Sequence, residues 1–457
     1  NLYKQFYEVM KDNIAVEKKP LELVEKSEWT SLHTLMFLSL IIGFFMWGVV
    51  SSITPLIYNS IKNIYFLLTP VYGLIAGDLV LPFLSDKELG RKTTFFITMG
   101  LYSIGTILII IADLLADLNG TSLADMPYII LIAAGVFLGF FGVEGEVPVM
   151  LSYMAEMMPL KYREQILILA PNFNNIGIMI AALVGFFTSY SPTYELLSIG
   201  LVAVAGFAIS IVIRLSLPES VRWLAVKGKV NEAEKEVKRF ARKISEIREG
   251  KAEKKVGLGF SFLFLVLIGI SQFLTGVLMS YVVADLYFSG NTLAFMIFIA
   301  NLSASIAGFV ATFIINKVKT RRFALFSYVG GTLSMIPIIF LTKDFNLGDF
   351  YILLAVNMFF GEFAWSTRTI HEAVLMPNIS RAFMIGLVRL APSISSISLL
   401  AVLDYLSHNL FLYFVYTLIL WAIGGGASIM WYFKGIDVNF VRLEEIHDEE
   451  NTRTLNK

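Results

Sequence analysis

Residues 195–240 read ELLSIGLVAVAGFAISIVIRLSLPESVRWLAVKGKVNEAEKEVKRF, and the change of character halfway along decides the fold. The run 195–217 is apolar over the roughly 20 residues that a bilayer-crossing helix needs. The stretch 218–257 that follows is dense in Glu, Lys and Arg, with Glu232, Glu236, Arg239 and Lys243 at helical spacing. Five apolar runs precede it, near 33–57, 64–85, 93–117, 128–157 and 165–188. Six follow, near 258–285, 291–316, 323–341, 350–376, 383–406 and 409–433. The runs are continuous, unlike the ten-residue alternation of a barrel strand. At 56% hydrophobic and 16% charged residues, with a mean hydropathy of +0.71, the chain is too apolar to be soluble. The predicted fold class is all-α and polytopic, with twelve transmembrane helices in two six-helix, pseudo-symmetric bundles. The expected domains are an N-terminal segment (1–32), a first bundle (33–217), linker helices (218–257), a second bundle (258–433) and a tail (434–457).

Net charge is zero, so the distribution carries the information. Lys87, Arg91 and Lys92, then Lys161 and Arg163, the whole of 222–255, and Lys317, Lys319, Arg321 and Arg322 mark alternate connections as basic. The intervening turns carry Asp113, Asp117, Asp125, Glu195 and Asp349, with only Lys62 and Lys343 as bases. By the positive-inside rule both termini are expected in the cytoplasm of a multi-pass plasma-membrane protein. The first thirty residues lack the apolar core of a signal peptide, so none is expected to be cleaved. With no Cys there is no disulfide or thiolate chemistry. The halves also repeat. Asp86 to Lys92 after the second run is matched by Asn316 to Arg322 after the eighth. Glu156, Pro159 and Arg163 are matched by Glu372, Pro377 and Arg381, with the Pro-to-Arg interval kept. Two such halves permit alternating access about a site between them.

Over nearly the whole chain these residues resemble the major facilitator superfamily. Asp86-Lys87-Glu88-Leu89-Gly90-Arg91-Lys92 resembles its Asp-Arg-x-Gly-Arg signature, with one extra residue and with Pro82 where Gly is usual. Leu217-Pro218-Glu219-Ser220-Val221-Arg222-Trp223-Leu224 is similar to the Pro-Glu-Ser-x-Arg-Trp-Leu element of sugar porters, organic ion transporters and synaptic-vesicle-type relatives. Gly142-Val143-Glu144-Gly145-Glu146-Val147-Pro148 resembles a stretch of metabolite, phosphate and organic-ion carriers, with Glu144 replacing a Gly. Ser152 to Arg163 looks most like the synaptic-vesicle and organic-ion side of that group. Ser271-Gln272-Phe273-Leu274-Thr275-Gly276 resembles a sugar-porter element, but Phe273 and Leu278 replace amides there, which argues against a hexose.

The resemblance implies a cytoplasmic gate of charge pairs: Asp86, Arg91, Glu156, Arg163, Glu219, Arg222, Arg321, Glu372 and Arg381. The plainer reading is that these only set topology. Ionisable residues inside the runs are costly and therefore informative. Glu144 and Glu146 diverge by about 200° on one helix and do not share a face. Glu146, at an acidic motif position of related carriers, is expected in the cavity and in proton coupling, with Glu144, Asp78 and Glu362 as further coupling candidates. The first run lacks the Asp that many proton symporters of the group carry. Arg368 and Arg389 suit an anionic substrate, since a guanidinium stays charged when buried; the alternative is that they neutralise buried carboxylates. Arg389-Leu390-Ala391-Pro392 resembles an element of organic-anion carriers. Asn175, Gln272, Tyr281 and Trp365 complete the expected substrate site, with Asn172, Asn174 and Asn301 as further polar candidates. His371 is expected in a solvated loop.

No Walker-type loop and no metal-ligand spacing is present, so no cofactor, metal site, enzymatic activity or nucleic-acid partner is expected. Gly73 with Gly77 and Gly135 with Gly139 read as close helix contacts. The expected function is a secondary transporter, or symporter, of a small organic solute, an organic anion or similar metabolite, coupled to protons. The alternatives are a sugar or polyol porter of the same fold, or a non-transporting receptor or accessory subunit. The expected partners are a small molecule, protons and the lipid bilayer.

Overall fold

The computed structural model describes residues 20–446, apart from 62, 64, 65, 67, 189–191, 242, 245–249 and 251–253. Most of the expected N-terminal segment (1–19) and the end of the tail (447–457) lie outside the described residues. The described chain is nearly all helical. Eleven segments are long and apolar enough to cross a membrane. One of them, Leu68–Asn119, has 52 residues, about 78 Å of helix where the hydrocarbon core is about 30 Å thick. It folds back on itself at Ser85–Gly90, both halves packing on Tyr128–Met157, which gives twelve spans among the described residues.

The first bundle comprises α1 (Ser31–Ile61), α2 (Leu68–Leu84), α3 (Gly90–Asn119), α4 (Tyr128–Met157), α5 (Arg163–Thr188) and α6 (Pro192–Leu215). Short helices α7 (Val221–Val226) and α8 (Val230–Phe240) lie in the linker. The second bundle comprises α9 (Leu258–Tyr287), α10 (Gly290–Ile314), α11 (Thr320–Leu341), α12 (Leu347–Leu375), α13 (Arg381–Ser407) and α14 (Leu410–Lys434).

The α2–α3 reversal shows how local sequence makes the fold. A single π-turn, Ser85–Leu89, takes up the extra residue of the 86–92 loop, since a π-turn is a one-residue insertion into a helix. Gly90 then turns the chain with φ +76°, a conformation an L side chain rarely adopts. The new helix end is capped by a carboxylate: Arg91 N and Lys92 N donate to Glu219 Oε1 and Oε2 at 2.8 and 3.2 Å. A Cβ on Gly90 would collide with that same carboxylate.

Within the first bundle α4 packs on α2 and α3, and α1 packs on α5 and α6. Small residues set the spacing, since backbone approach drives helix association in lipid. A Cβ on Gly77 would meet Gly145 N and Phe141 O at 2.8 Å, one on Gly73 would meet Phe140, and one on Gly135 would meet Gly105 O at 2.7 Å. The bundles meet along two seams, α5 with α10 and α2 with α13. Across the first, Asn172 Nδ2 donates to Ser305 O at 3.0 Å and Gln165 Nε2 to Thr312 O at 3.2 Å. Across the second, Gly386 lies against the Asp78 carbonyl with no room for a Cβ.

Candidate functional site

A cavity of about 280 Å³ lies between the bundles, toward the face opposite the linker. Thr54 and Pro55 of α1, Pro70 of α2, Asp285 and Leu286 of α9 and Leu403 of α13 line its outer part. Asn174, Asn175, Gln272, Asn301, Tyr281 and Glu362 line it at mid-depth among apolar walls that include Phe140 and Phe273. Its inner end is closed by Trp47 of α1 and Trp365 of α12, stacked at 5.7 Å and 29°, one from each bundle.

Beneath the tryptophans lies a buried charge cluster that crosses the bundle boundary. Arg389 on α13 donates from Nε and Nη2 to Glu144 Oε1 at 2.8 and 2.5 Å and from Nη1 to Glu372 Oε2 at 3.3 Å. It stands 3.6 Å from Asp78. Arg368 donates to Glu372 at 2.5 Å and to Gln272 Oε1 at 3.0 Å, and Ser393 Oγ donates to Asp78 at 3.2 Å. Both guanidiniums sit under Trp365, 5.4 and 5.5 Å from its ring. Helical geometry arranges this order: Glu362, Trp365, Arg368 and Glu372 project within about 120° of one another along α12, each a turn or so nearer the linker face. The cluster contains three carboxylates and two guanidiniums. Asp78 Oδ1 and Glu144 Oε2 have no hydrogen bond.

The linker face itself is sealed by a lattice of ion pairs. Arg91 donates to Asp86 at 2.5 Å and to Glu156 at 2.8 and 3.1 Å. Ser220 Oγ donates to Glu156 at 2.5 Å while capping α7 through Trp223 N, and Trp223 Nε1 donates to Asp86 O at 3.0 Å. From the second bundle Arg381 approaches Glu156 at 3.8 Å, and Phe383 N donates to Asp86 at 2.7 Å. The Pro-Glu-Ser-x-Arg-Trp element is thus a set of specific anchors: Glu219 caps α3, Ser220 and Trp223 hold the α2 and α4 ends, and Arg222 reaches outward.

Over this lattice runs the tail, 435–446, which touches both bundles. Arg163 Nη2 donates to Val441 O at 2.8 Å, Arg222 pairs with Glu444 at 3.1 Å and with Glu25 at 2.6 Å, and Arg321 pairs with Asp437 at 2.9 Å. Burial alone would raise the Glu444 pKa, but the Arg222 guanidinium outweighs it and holds the carboxyl well below the usual range. The lowered pKa means Glu444 contributes stability above its unfolded value near 4.3 and loses it as pH falls toward the lower folded value. Glu444→Gln is therefore expected to lower the stability by roughly 1 kcal/mol or less, the side chain being a third exposed. That difference from wild type should stay constant from about pH 7 to 5 and shrink below about pH 4. A difference that vanished by pH 6 would contradict the pairing.

Of the residues expected at the substrate site, Gln272, Asn175, Tyr281, Trp365 and the coupling candidate Glu362 line the cavity. Arg368 and Arg389 lie below the tryptophans in the cluster, with Glu144 and Asp78. Glu146 is elsewhere, inside the first bundle, paired with Arg214 of α6 and accepting from Thr98 Oγ1 at 2.5 Å. Glu372 belongs to the buried cluster rather than the linker-face lattice. His371 is fully buried against Phe264 and Trp431, because α12 extends a full turn beyond it, to Leu375. Sequence reading missed Arg214, Asp285 and Trp47. The first two are charges inside apolar runs, the same signal that pointed to Glu146. Among the described residues no group of His, Asp and Glu is placed to hold a metal ion.

Twelve spans in two bundles about a central cavity, with ion pairs stacked beneath it, define a multi-pass membrane protein with a transporter fold. Residues 35–399 match the family model of the Major Facilitator Superfamily, and the chain belongs to that family. It is 28% identical over 206 residues to the niacin transporter NiaP of Acinetobacter baylyi, a match spanning 44% of this chain and 42% of that protein. Its fold is that of the proton:xylose symporter XylE bound to 6-bromo-6-deoxy-D-glucose (TM-score 0.73, 16% identity, 91% of this chain and 98% of that one). The inward-open XylE from E. coli superposes with a TM-score of 0.63 (16% identity, 90% and 98%), and FucP in its outward conformation with 0.56 (14% identity, 86% and 98%).

Proposed function

We propose that the chain is a secondary transporter that moves a small organic solute by alternating access, with the cavity as its substrate chamber and protons as the coupling ion. The observation that carries this reading is the layered closure on one side only. The cavity reaches toward one face, while the tryptophan pair, the charge cluster and the ion-pair lattice stand between it and the linker face, each built from both bundles. Interactions across a moving boundary bias two nearly equal states, which is what a carrier requires. The cluster has one carboxylate more than its guanidiniums neutralise and two oxygens without a hydrogen bond, Asp78 Oδ1 and Glu144 Oε2. A proton there satisfies one of them and weakens the hold on Arg389, which ties proton uptake to separation of the bundles.

Niacin, named for the relative, is a flat heteroaromatic acid whose ring suits the aromatic floor. A sugar, the ligand of the XylE structure, suits the amides Asn174, Asn175, Gln272 and Asn301. The anion-binding role expected of Arg368 and Arg389 has less support, since both are committed to carboxylates below the floor.

The test exploits the absence of Cys. A single cysteine at Ser396, in the cavity wall, and another at Asn378, at the linker face, should react with a membrane-impermeant maleimide from opposite sides. Opening the lattice with Glu156→Ala, which removes the acceptor shared by Arg91, Ser220 and, across the bundles, Arg381, should raise Asn378→Cys labelling and lower Ser396→Cys labelling, at least threefold each. Labelling that rose at both sites together, instead of reciprocally, would refute the carrier reading. In proteoliposomes, accumulation of nicotinate, D-xylose or an organic cation that ignores an imposed pH gradient would remove the coupling.

A further inference from the structure

The chamber's own charge is acidic. Among the described residues that line it, the carboxylates are Asp285 and Glu362, and none is Lys, Arg or His. Glu362 is 3% exposed; its Oε2 accepts from Asn175 Nδ2 at 2.7 Å, while Oε1 has no partner. The hydrogen bond from the other bundle fixes the carboxylate, and its second oxygen, beside the cavity, has only the uncharged Ser366 hydroxyl one turn on as a neighbouring donor. Asp285 Oδ1 is also buried without a partner. The two acids stand at two depths: Asp285 is two residues from the end of α9, and Glu362 is at the middle of α12. An uncompensated carboxylate in a low-dielectric wall is costly, and the guanidiniums nearest to them lie beyond Trp365, held by Glu372 and Glu144.

Resting on the transporter reading above, we infer that the substrate class is an organic monocation, a substituted ammonium carried on a flat or apolar body. Glu362 receives the cationic head at mid-depth and Asp285 lies on its entry path. The predominantly apolar wall and the Trp47–Trp365 floor take the body, with the tryptophan faces adding cation–π attraction. An inorganic ion fits poorly, because hard cations demand six or more converging oxygens, and here the carboxylate oxygens sit on separate helices in an apolar wall.

The full chain in nanodiscs of zwitterionic lipid should be titrated with three probes that share a ring: phenyltrimethylammonium, benzyl alcohol and benzoate. Phenyltrimethylammonium should bind at least tenfold tighter than benzoate. Glu362→Gln should weaken it at least tenfold while leaving benzyl alcohol within twofold, and Asp285→Asn should weaken it less. Tighter binding of benzoate by wild type, or unchanged cation binding in both variants, would overturn the inference. So would equal stabilisation by sodium or potassium chloride. Counterflow in proteoliposomes separates this from the transporter reading. Glu362-dependent binding without counterflow keeps the cation class and removes the carrier; exchange of nicotinate or D-xylose with no cation binding keeps the carrier and removes the cation class.

Discussion

Arg389→Gln is expected to abolish the tight closure between the bundles and to cost about 3–5 kcal/mol of stability, the usual effect of breaking a buried pair by removing one partner. Arg389 alone reaches Glu144, Asp78 and Glu372, at 2.5, 3.6 and 3.3 Å. Without it three buried carboxylates face only Arg368. They respond by taking up protons or by parting, and either response removes the coupling between proton and bundle movement. Gradient-driven uptake should fall at least tenfold, and the thermal midpoint should drop. Arg389→Lys should restore little, because an ammonium lacks the planar fork that serves several acceptors at once. The double variant Arg389→Gln, Glu144→Gln should recover part of the stability, since it removes the most closely held of the orphaned acids. A single variant with wild-type midpoint and wild-type uptake would show that the cluster neither holds the bundles nor couples them.

The second large effect concerns Glu146. Arg214→Ala is expected to destabilise the protein by about 3–5 kcal/mol, because it strips the partner from a carboxylate that is 1% exposed and retains only Thr98. Arg214 also donates to Phe95 O at 2.6 Å, a bond lost with it. Replacing both charges, Arg214→Met with Glu146→Leu, should return most of the stability, as buried pairs exchanged for packed apolar residues often do. The double variant separates glue from coupling. Glu146 and Arg214 both belong to the first bundle, away from the cavity, so uptake driven by a pH gradient should persist within about threefold. A well-folded double variant that had lost its gradient dependence would return the proton to Glu146.

Much of this was legible in the sequence because a bilayer constrains it so strongly. Each apolar run has one reading once it reaches the length of a span, and the basic connections alternate with acidic ones. The pairs Gly73 with Gly77 and Gly135 with Gly139 announced close helix contacts. The element from Pro218 to Trp223 announced an organised linker junction, although its division of labour, Glu219 capping α3 and Ser220 holding Glu156, became visible only with α3 and α4 in place. Glu144 and Glu146 show the limit. Their spacing put them on different sides of α4, but nothing in the chain said that one side faces Arg389, 245 positions away, and the other Arg214. Arg368 and Arg389 could be read either as ligands for an anion or as neutralisers of buried carboxylates, because their partners Glu372 and Glu144 lie on another turn or another helix.

The sequence by itself determined the all-helical class, the twelve spans and the two-bundle plan, since a span is a property of about 20 consecutive residues. Only the tertiary structure decided which charges meet which. An ion pair in this protein is chosen by the packing of helices far apart in the chain, and a side chain becomes cavity wall or buried glue according to a neighbour that local periodicity does not encode.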